Sequence, residues 1–170
     1  MNKKHIIQNI LQHLLKELEA TQLAAHNAHL AAIDDQSIAE TQYDTVAIEA
    51  GYLAEGQSKR VEEIKQSIKQ FEQFNSQELA ASPTIVLGSL VQLEKGVENN
   101  EWLFIAPSAA GFKCEIITDK DNNLTNKITV ITPHSPMGQA LITKEIDDEI
   151  TLLIPGINSA KDPDYINEIR

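Results

Sequence analysis

Between Lys16 and Lys59 the chain carries no Lys or Arg, yet Glu17, Glu19, Asp34, Asp35, Glu40, Asp44, Glu49 and Glu55 all fall there. Carboxylate oxygens are what hard cations such as Mg²⁺ take, often one or two from protein, with water and substrate phosphates completing the shell. Asp34 and Asp35, adjacent in sequence, are the natural candidates for that chemistry. Glu40 follows Ser37 at the Ser-x-x-Glu spacing of a capping box, which gives its carboxylate a structural use as well. The same acids also suit a solvated helix face and the positive end of a helix dipole, so a structural and a cation-binding reading both stand at this level. Two exposed carboxylates hold Mg²⁺ weakly, because that ion dehydrates reluctantly. No tightly bound metal and no other cofactor is expected.

The remaining constellations are weaker. Cys114 and His134 could be imagined as a thiol and its base, but alternation along Phe112-Lys113-Cys114-Glu115-Ile116 places the cysteine with Phe112 and Ile116, where it acts as a small hydrophobe. His26 and His29, at i and i+3, read as exposed helical histidines beside Ala25 and Ala28. His134-Ser135 lacks a G-x-S-x-G elbow, and the seven glycines form no phosphate-binding loop. The single cysteine excludes an internal disulfide and any multi-cysteine metal site. Catalysis by the chain itself is not expected.

The elements that must position the acids come from hydrophobic period. The chain has 170 residues, and its 25 acids against 14 bases give a net charge of −11 and a pI near 4.8. That balance argues against an autonomous nucleic-acid binder, which needs Lys and Arg on phosphates. No apolar run approaches the roughly 20 residues of a membrane span, and a patterned start without a cleavage site fits a cytoplasmic protein. Ile7, Leu11, Leu14, Leu18, Thr21, Ala25, Ala28 and Ala32 recur at steps of four and three, as do Tyr43, Ala47, Ala50, Ala54, Gln57, Val61, Ile64, Ile68 and Phe71. Each series is the seam of a helix that packs on another helix. The spacing predicts helices over 3–33 and 38–73, joined by a short polar turn, so they are antiparallel neighbours and the chain is expected to be a monomer. Such a hairpin reaches roughly 45 Å at about 1.5 Å per residue, and its alanines keep the distal end slim.

Past a linker over 76–83 the period changes. Thr84 to Leu93, Trp102 to Ala106, Phe112 to Ile117, Ile128 to Ile131 and Ile150 to Ile154 read as five strands of a mostly antiparallel sheet. Ser135-Pro136 is an N-cap followed by proline at the first helical position, opening one short helix. The polar tail from Asn158 to Arg170 reads as loosely ordered. The expected fold is α+β: a coiled-coil arm over 1–75 and a small sheet domain over 84–170.

Two stretches, Ile128 to Glu145 and Tyr43 to Val61, resemble the bacterial Gre-type transcription elongation factors, which promote transcript cleavage. Ile128-Thr129-Val130-Ile131-Thr132-Pro133-His134-Ser135-Pro136-Met137-Gly138-Gln139-Ala140-Leu141-Ile142-Thr143-Lys144-Glu145 is similar to the family's strand, Ser-Pro, short Ala-Leu-Ile helix and Lys-Glu. Tyr43, Glu49-Ala50-Gly51-Tyr52-Leu53-Ala54-Glu55-Gly56, Arg60 and Val61 resemble its second arm helix. The resemblance implies an FKBP-like C-terminal domain that docks on RNA polymerase through Ser135, Pro136, Met137, Gln139 and Lys144. It also implies an arm that enters the polymerase secondary channel. There the tip acids help hold the second Mg²⁺ for cleavage of backtracked RNA: the polymerase cuts, the transcript is touched only indirectly, and the factor is not itself an enzyme. By position Asp34 or Asp35 takes the family's Asp role and Glu40 its Glu role. The family tip reads Asp-x-x-Glu-Asn, whereas four residues separate Asp35 from Glu40 here; Gln139 and Thr143 stand where the family's helix has Arg and Gly. Stimulated cleavage and channel occupancy without cleavage are therefore both open. From other classes, an FKBP-like chaperone or prolyl isomerase would need an aromatic-lined pocket, and a coiled-coil adaptor would dimerise through the seam.

Overall fold

The computed structural model describes residues 2–33, 45–74, 82–119, 124–151 and 164–170. Two long helices, α1 (Lys3–Ile33) and α2 (Thr45–Glu72), precede six strands and one short helix: β1 (Leu90–Leu93), β2 (Glu101–Ile105), β3 (Lys113–Asp119), β4 (Leu124–Ile131), α3 (Pro136–Leu141), β5 (Glu149–Ile150) and β6 (Asp164–Ile169). The fold is α+β. Packing divides the chain into two units, Leu11–Lys69 and the combination of Met1–Ile10 with Gln70–Arg170.

In the helical unit the expected seam is the buried face. Leu14, Ala28, Val61 and Ile64 are buried, and Leu11, Leu18, Thr21, Ala25, Ala54, Gln57 and Ile68 are partly so. Thr21, the polar member of the first series, donates its Oγ1 hydrogen to the Glu17 carbonyl at 2.7 Å, which satisfies the hydroxyl within its own helix. The antiparallel sense shows in one ion pair: Arg60 donates to Glu17 at 2.6 Å. Glu17 lies sixteen residues before Ile33 and Arg60 fifteen after Thr45, the matched distances that a hairpin demands. The side chains of Ala32, Tyr43, Ala47 and Ala50 lie outside the described residues.

The other unit is built on a mixed sheet in the order β3-β4-β2-β1-β6-β5. The sheet is mostly antiparallel, as expected, and two features add to the expected five strands. First, β4 runs parallel to β2, pairing Trp102 with Ile128 and Phe104 with Val130, while the other neighbours are antiparallel. Second, the polar tail supplies a sixth strand. β6 is an interior strand between β1 and β5, Leu90 and Arg170 exchange both backbone hydrogen bonds at 2.8 Å, and Ile166 is fully buried. A backbone ladder does not depend on side-chain polarity, so a segment with few apolar residues fills a slot that its neighbours define. β1 also starts later than Thr84: Gly88 takes φ +90°, a turn conformation open to glycine, and Ile85 instead pairs with Thr143 and Lys144 just past α3.

Both faces of the sheet are covered. Ile85, Val91, Ile105, Ile131, Ile150 and Ile166 form one core with Leu141 of α3, and Met137 and Ala140 pack against it. Strand alternation sends Trp102, Phe104, Ile128 and Val130 to the opposite face, where they are also buried. There Phe74, just past α2, sits edge-on to Phe104 at 6.5 Å and to Phe71 at 6.4 Å. Ile6 and Ile10 at the start of α1 are fully buried in the same unit, and the side chain of Asn9 hydrogen-bonds Cys114. The guanidinium of Arg170 lies over Trp102 at 4.8 Å.

Candidate functional site

Asp34, Asp35 and Glu40, which carry the cation-binding expectation, lie outside the described residues. In sequence they fall between the described helices α1 and α2. Glu19, Glu49 and Glu55 are exposed on them, and Glu17 is taken up by Arg60. Arg60 also reaches Glu63 at 3.3 Å, and these two carboxylates hold its guanidinium above its ordinary pKa. It is therefore a fixed positive charge just outside the cation-free stretch. His13 approaches Glu17 at 3.8 Å. His26 and His29 are exposed, and among the described residues no three His, Cys, Asp or Glu side chains group as metal ligands would.

The second set of expected residues surrounds α3. Ser135 is its N-cap: the Oγ accepts from the Gly138 amide at 3.1 Å and donates to the Thr132 carbonyl at 2.7 Å. Pro136 follows at the first helical position and is exposed. Met137 packs into the core, so its side chain has a structural task. Gln139 is exposed, with its Nε2 donating to the His134 carbonyl at 3.2 Å. Lys144 is half-buried, and its backbone is held at both ends, receiving from Ile85 at 2.8 Å and donating to Leu141 at 3.0 Å. Pro136 and Gln139 thus form the freely presented part of this set.

Two local constraints around α3 were not read from the sequence. A Cβ on Gly138 would clash with the Thr132 carbonyl oxygen and lie 2.8 Å from the carbonyl carbon and 3.1 Å from Pro133 Cα. The glycine lets the first turn of α3 close onto the end of β4. Thr143 has φ +68°, a left-handed conformation costly for a β-branched residue, and its amide donates to Ile85 at 2.9 Å. The Gly of the resembled motif at this position was the available signal.

Elsewhere on the sheet a groove of about 390 Å³ is bordered by Glu101, Lys113, Glu115, Lys127 and Thr129. The register places both Glu101 and Glu115 opposite Lys127. Among the described residues that line this groove none is aromatic. Cys114 contributes to it but is half-buried; burial pushes its thiol pKa up, against the hydrogen bond from Asn9. That is the condition of an inert thiol, as the alternation along β3 implies.

No protein-family model matches the chain, and no curated protein does. Among solved structures the chain is similar to GreA factor homolog 1 (Gfh1). The Thermus thermophilus structure is 19% identical, with 94% of each chain covered and a TM-score of 0.32. The Thermus aquaticus Gfh1 structure is 21% identical over 93% of this chain and 92% of that one, at a TM-score of 0.33. A further structure of the transcription factor Gfh1 is 20% identical, covering 92% and 90%, at 0.31.

Proposed function

We propose that this protein is a Gre-type regulator that binds RNA polymerase and carries an acidic helical arm into the enzyme's secondary channel. The observation that supports this most is the segregation of charge on a paired-helix arm: eight carboxylates and no Lys or Arg between Lys16 and Lys59. A second support is the capped Ser135-Pro136 helix with Gln139 exposed, in the segment that resembles the family's docking motif. In this reading Asp34, Asp35 and Glu40 offer carboxylate oxygens to a Mg²⁺ held mainly by the polymerase. That ion would stabilise attacking and leaving oxygens in phosphodiester hydrolysis. Carboxylates suit such a hard cation, and their number suits a weak, shared site. The factor performs no bond-breaking step of its own.

The experiment is a transcript-cleavage assay on stalled elongation complexes, paired with a pull-down of RNA polymerase. Polymerase capture with cleavage lost in Asp34→Ala/Asp35→Ala supports the tip assignment. Undiminished stimulation by the double variant refutes it. Capture with cleavage suppressed by the wild type identifies a channel occupant that blocks. An isomerase assay without polymerase capture would favour the prolyl-isomerase alternative instead.

A further inference from the structure

The sheet ends at β3, because the order β3-β4-β2-β1-β6-β5 gives that strand a neighbour on one side only. Two hydrogen bonds fix which of its backbone groups face that neighbour. Phe112, just before β3, accepts from the Val130 amide at 2.8 Å, whereas the amide of Lys127, opposite Glu115, turns away to the Asn100 carbonyl at 2.9 Å. In an antiparallel ladder bonded and non-bonded pairs alternate, so Cys114 and Ile116 bond β4 while the amides and carbonyls of Lys113, Glu115 and Ile117 point outward. Among the described residues no strand takes them up. On the face that carries the groove of about 390 Å³, the register lines up Glu101, Lys127 and Glu115 across three strands, and sets Lys113 opposite Thr129. Lys113 and Glu115 are exposed. Among the described residues neither they nor Glu101 and Lys127 form an ion pair.

We infer that the outer edge of β3 is where a second copy of this chain adds its own β3, antiparallel, to give one continuous sheet about a two-fold axis at Cys114. An open edge invites a strand, and charge order selects which. With the axis at Cys114, the outward groups of Lys113 bond those of Glu115 of the second copy, and the outward groups of Glu115 bond those of Lys113 of the second copy. Each contact then joins an acid to a base, as a self-complementary two-fold interface requires. Each also extends a row already present in one chain: Glu101, Lys127, Glu115 and then Lys113 of the second copy alternate in sign across the joined sheet. On the opposite face Phe112 meets Ile116 of the second copy, an apolar pair. An unrelated strand gains the same backbone bonds without the charge order. Nucleic-acid phosphates gain little from lysines that stand beside glutamates. The monomer expected from the sequence followed from the helical seam, which is filled within one chain; the sheet edge is a separate surface, and its pairing is independent of polymerase binding.

The test is sedimentation of the full chain over a range of concentration. Pairing of Phe112 to Ile116 on each copy makes a small interface, so the wild type should dimerise with a Kd of about 0.1 mM. Two chains of net charge −11 repel at long range, so the measurement is made at about 0.15 M salt, where the Debye length is about 8 Å. Lys113→Glu and Glu115→Lys each turn both cross-strand pairs into like charges, and each should weaken the dimer about thirtyfold. Mixed in equal amounts, the two variants regain opposite charges at both pairs and should form a heterodimer as strong as the wild-type dimer. Both substitutions are at exposed positions, and the fluorescence of the buried Trp102 verifies the fold. Lys59→Glu makes the same change of net charge at an exposed site on α2 and should leave Kd unchanged. A wild type that stays monomeric at about 1 mM overturns the inference. So does a dimer that Lys113→Glu leaves intact, which would lie elsewhere on the chain, or a mixture of the two variants that stays monomeric. A loss with Lys59→Glu equal to that with Lys113→Glu overturns it as well, because net charge and not the edge would then set association.

Discussion

Replacing Gly138 by alanine tests the packing that holds α3 on the sheet. The added Cβ would clash with the Thr132 carbonyl oxygen, with further backbone 2.8 and 3.1 Å away, so no flexible side chain can yield. The carbonyl that must move already accepts hydrogen bonds from the Ser135 amide at 3.0 Å and the Ser135 hydroxyl at 2.7 Å. Overpacking costs about 1–3 kcal/mol, and weakening two bonds adds about 1 kcal/mol each, so a loss of about 4 kcal/mol is expected. At roughly 4 °C per kcal/mol this lowers Tm by about 15 °C. Gly51 and Gly56 are internal controls of opposite sign. Both are exposed within α2 with nothing within 4 Å of a built Cβ, so alanine there should stabilise the helix by about 0.5–1 kcal/mol each. The single tryptophan, Trp102, is buried in the sheet and reports that unit by fluorescence, while ellipticity reports the helices. A Gly138→Ala protein with an unshifted Trp102 transition would refute the packing argument, as would destabilisation by Gly56→Ala.

Three more substitutions follow from the same geometry. Thr143→Gly should raise stability by about 1 kcal/mol, because it relieves a β-branched residue at φ +68° while keeping the amide bond to Ile85; urea unfolding measures it, and a lower midpoint contradicts the strain assignment. Ile166→Ala should cost about 3 kcal/mol, because a fully buried side chain of an interior strand is truncated; no change in the Trp102 transition would mean that the tail does not bear on the core. Cys114 should resist alkylation at neutral pH in the folded chain and react readily in urea. Because burial raises the thiol's folded pKa, its contribution to stability is present below the ordinary thiol pKa and lost as pH rises through the folded value. A thermal transition that strengthens with rising alkaline pH in wild type but not in Cys114→Ala would contradict that sign.

The order of elements was legible in the sequence because it depends on local period. Steps of three and four announced α1 and the described part of α2, and Ser135-Pro136 announced α3 with its cap. The charge segregation between Lys16 and Lys59 is also a property of the sequence alone. What a pairing partner decides was not legible. β6 is polar enough to pass for a tail, and only the ladder offered by β1 and β5 makes it an interior strand. Its parallel counterpart, the insertion of β4 beside β2, leaves no trace in either strand's own pattern. Among the candidate site residues, Met137 was spoken for by the core and Pro136 and Gln139 were left to solvent, a division set by how α3 lies on the sheet. Likewise the heptad series marked the seam of α1 but passed over Leu15, Leu23 and Leu30. Period identifies the face that a partner helix buries, whereas exposure on the opposite face is known only once every other element has taken its place.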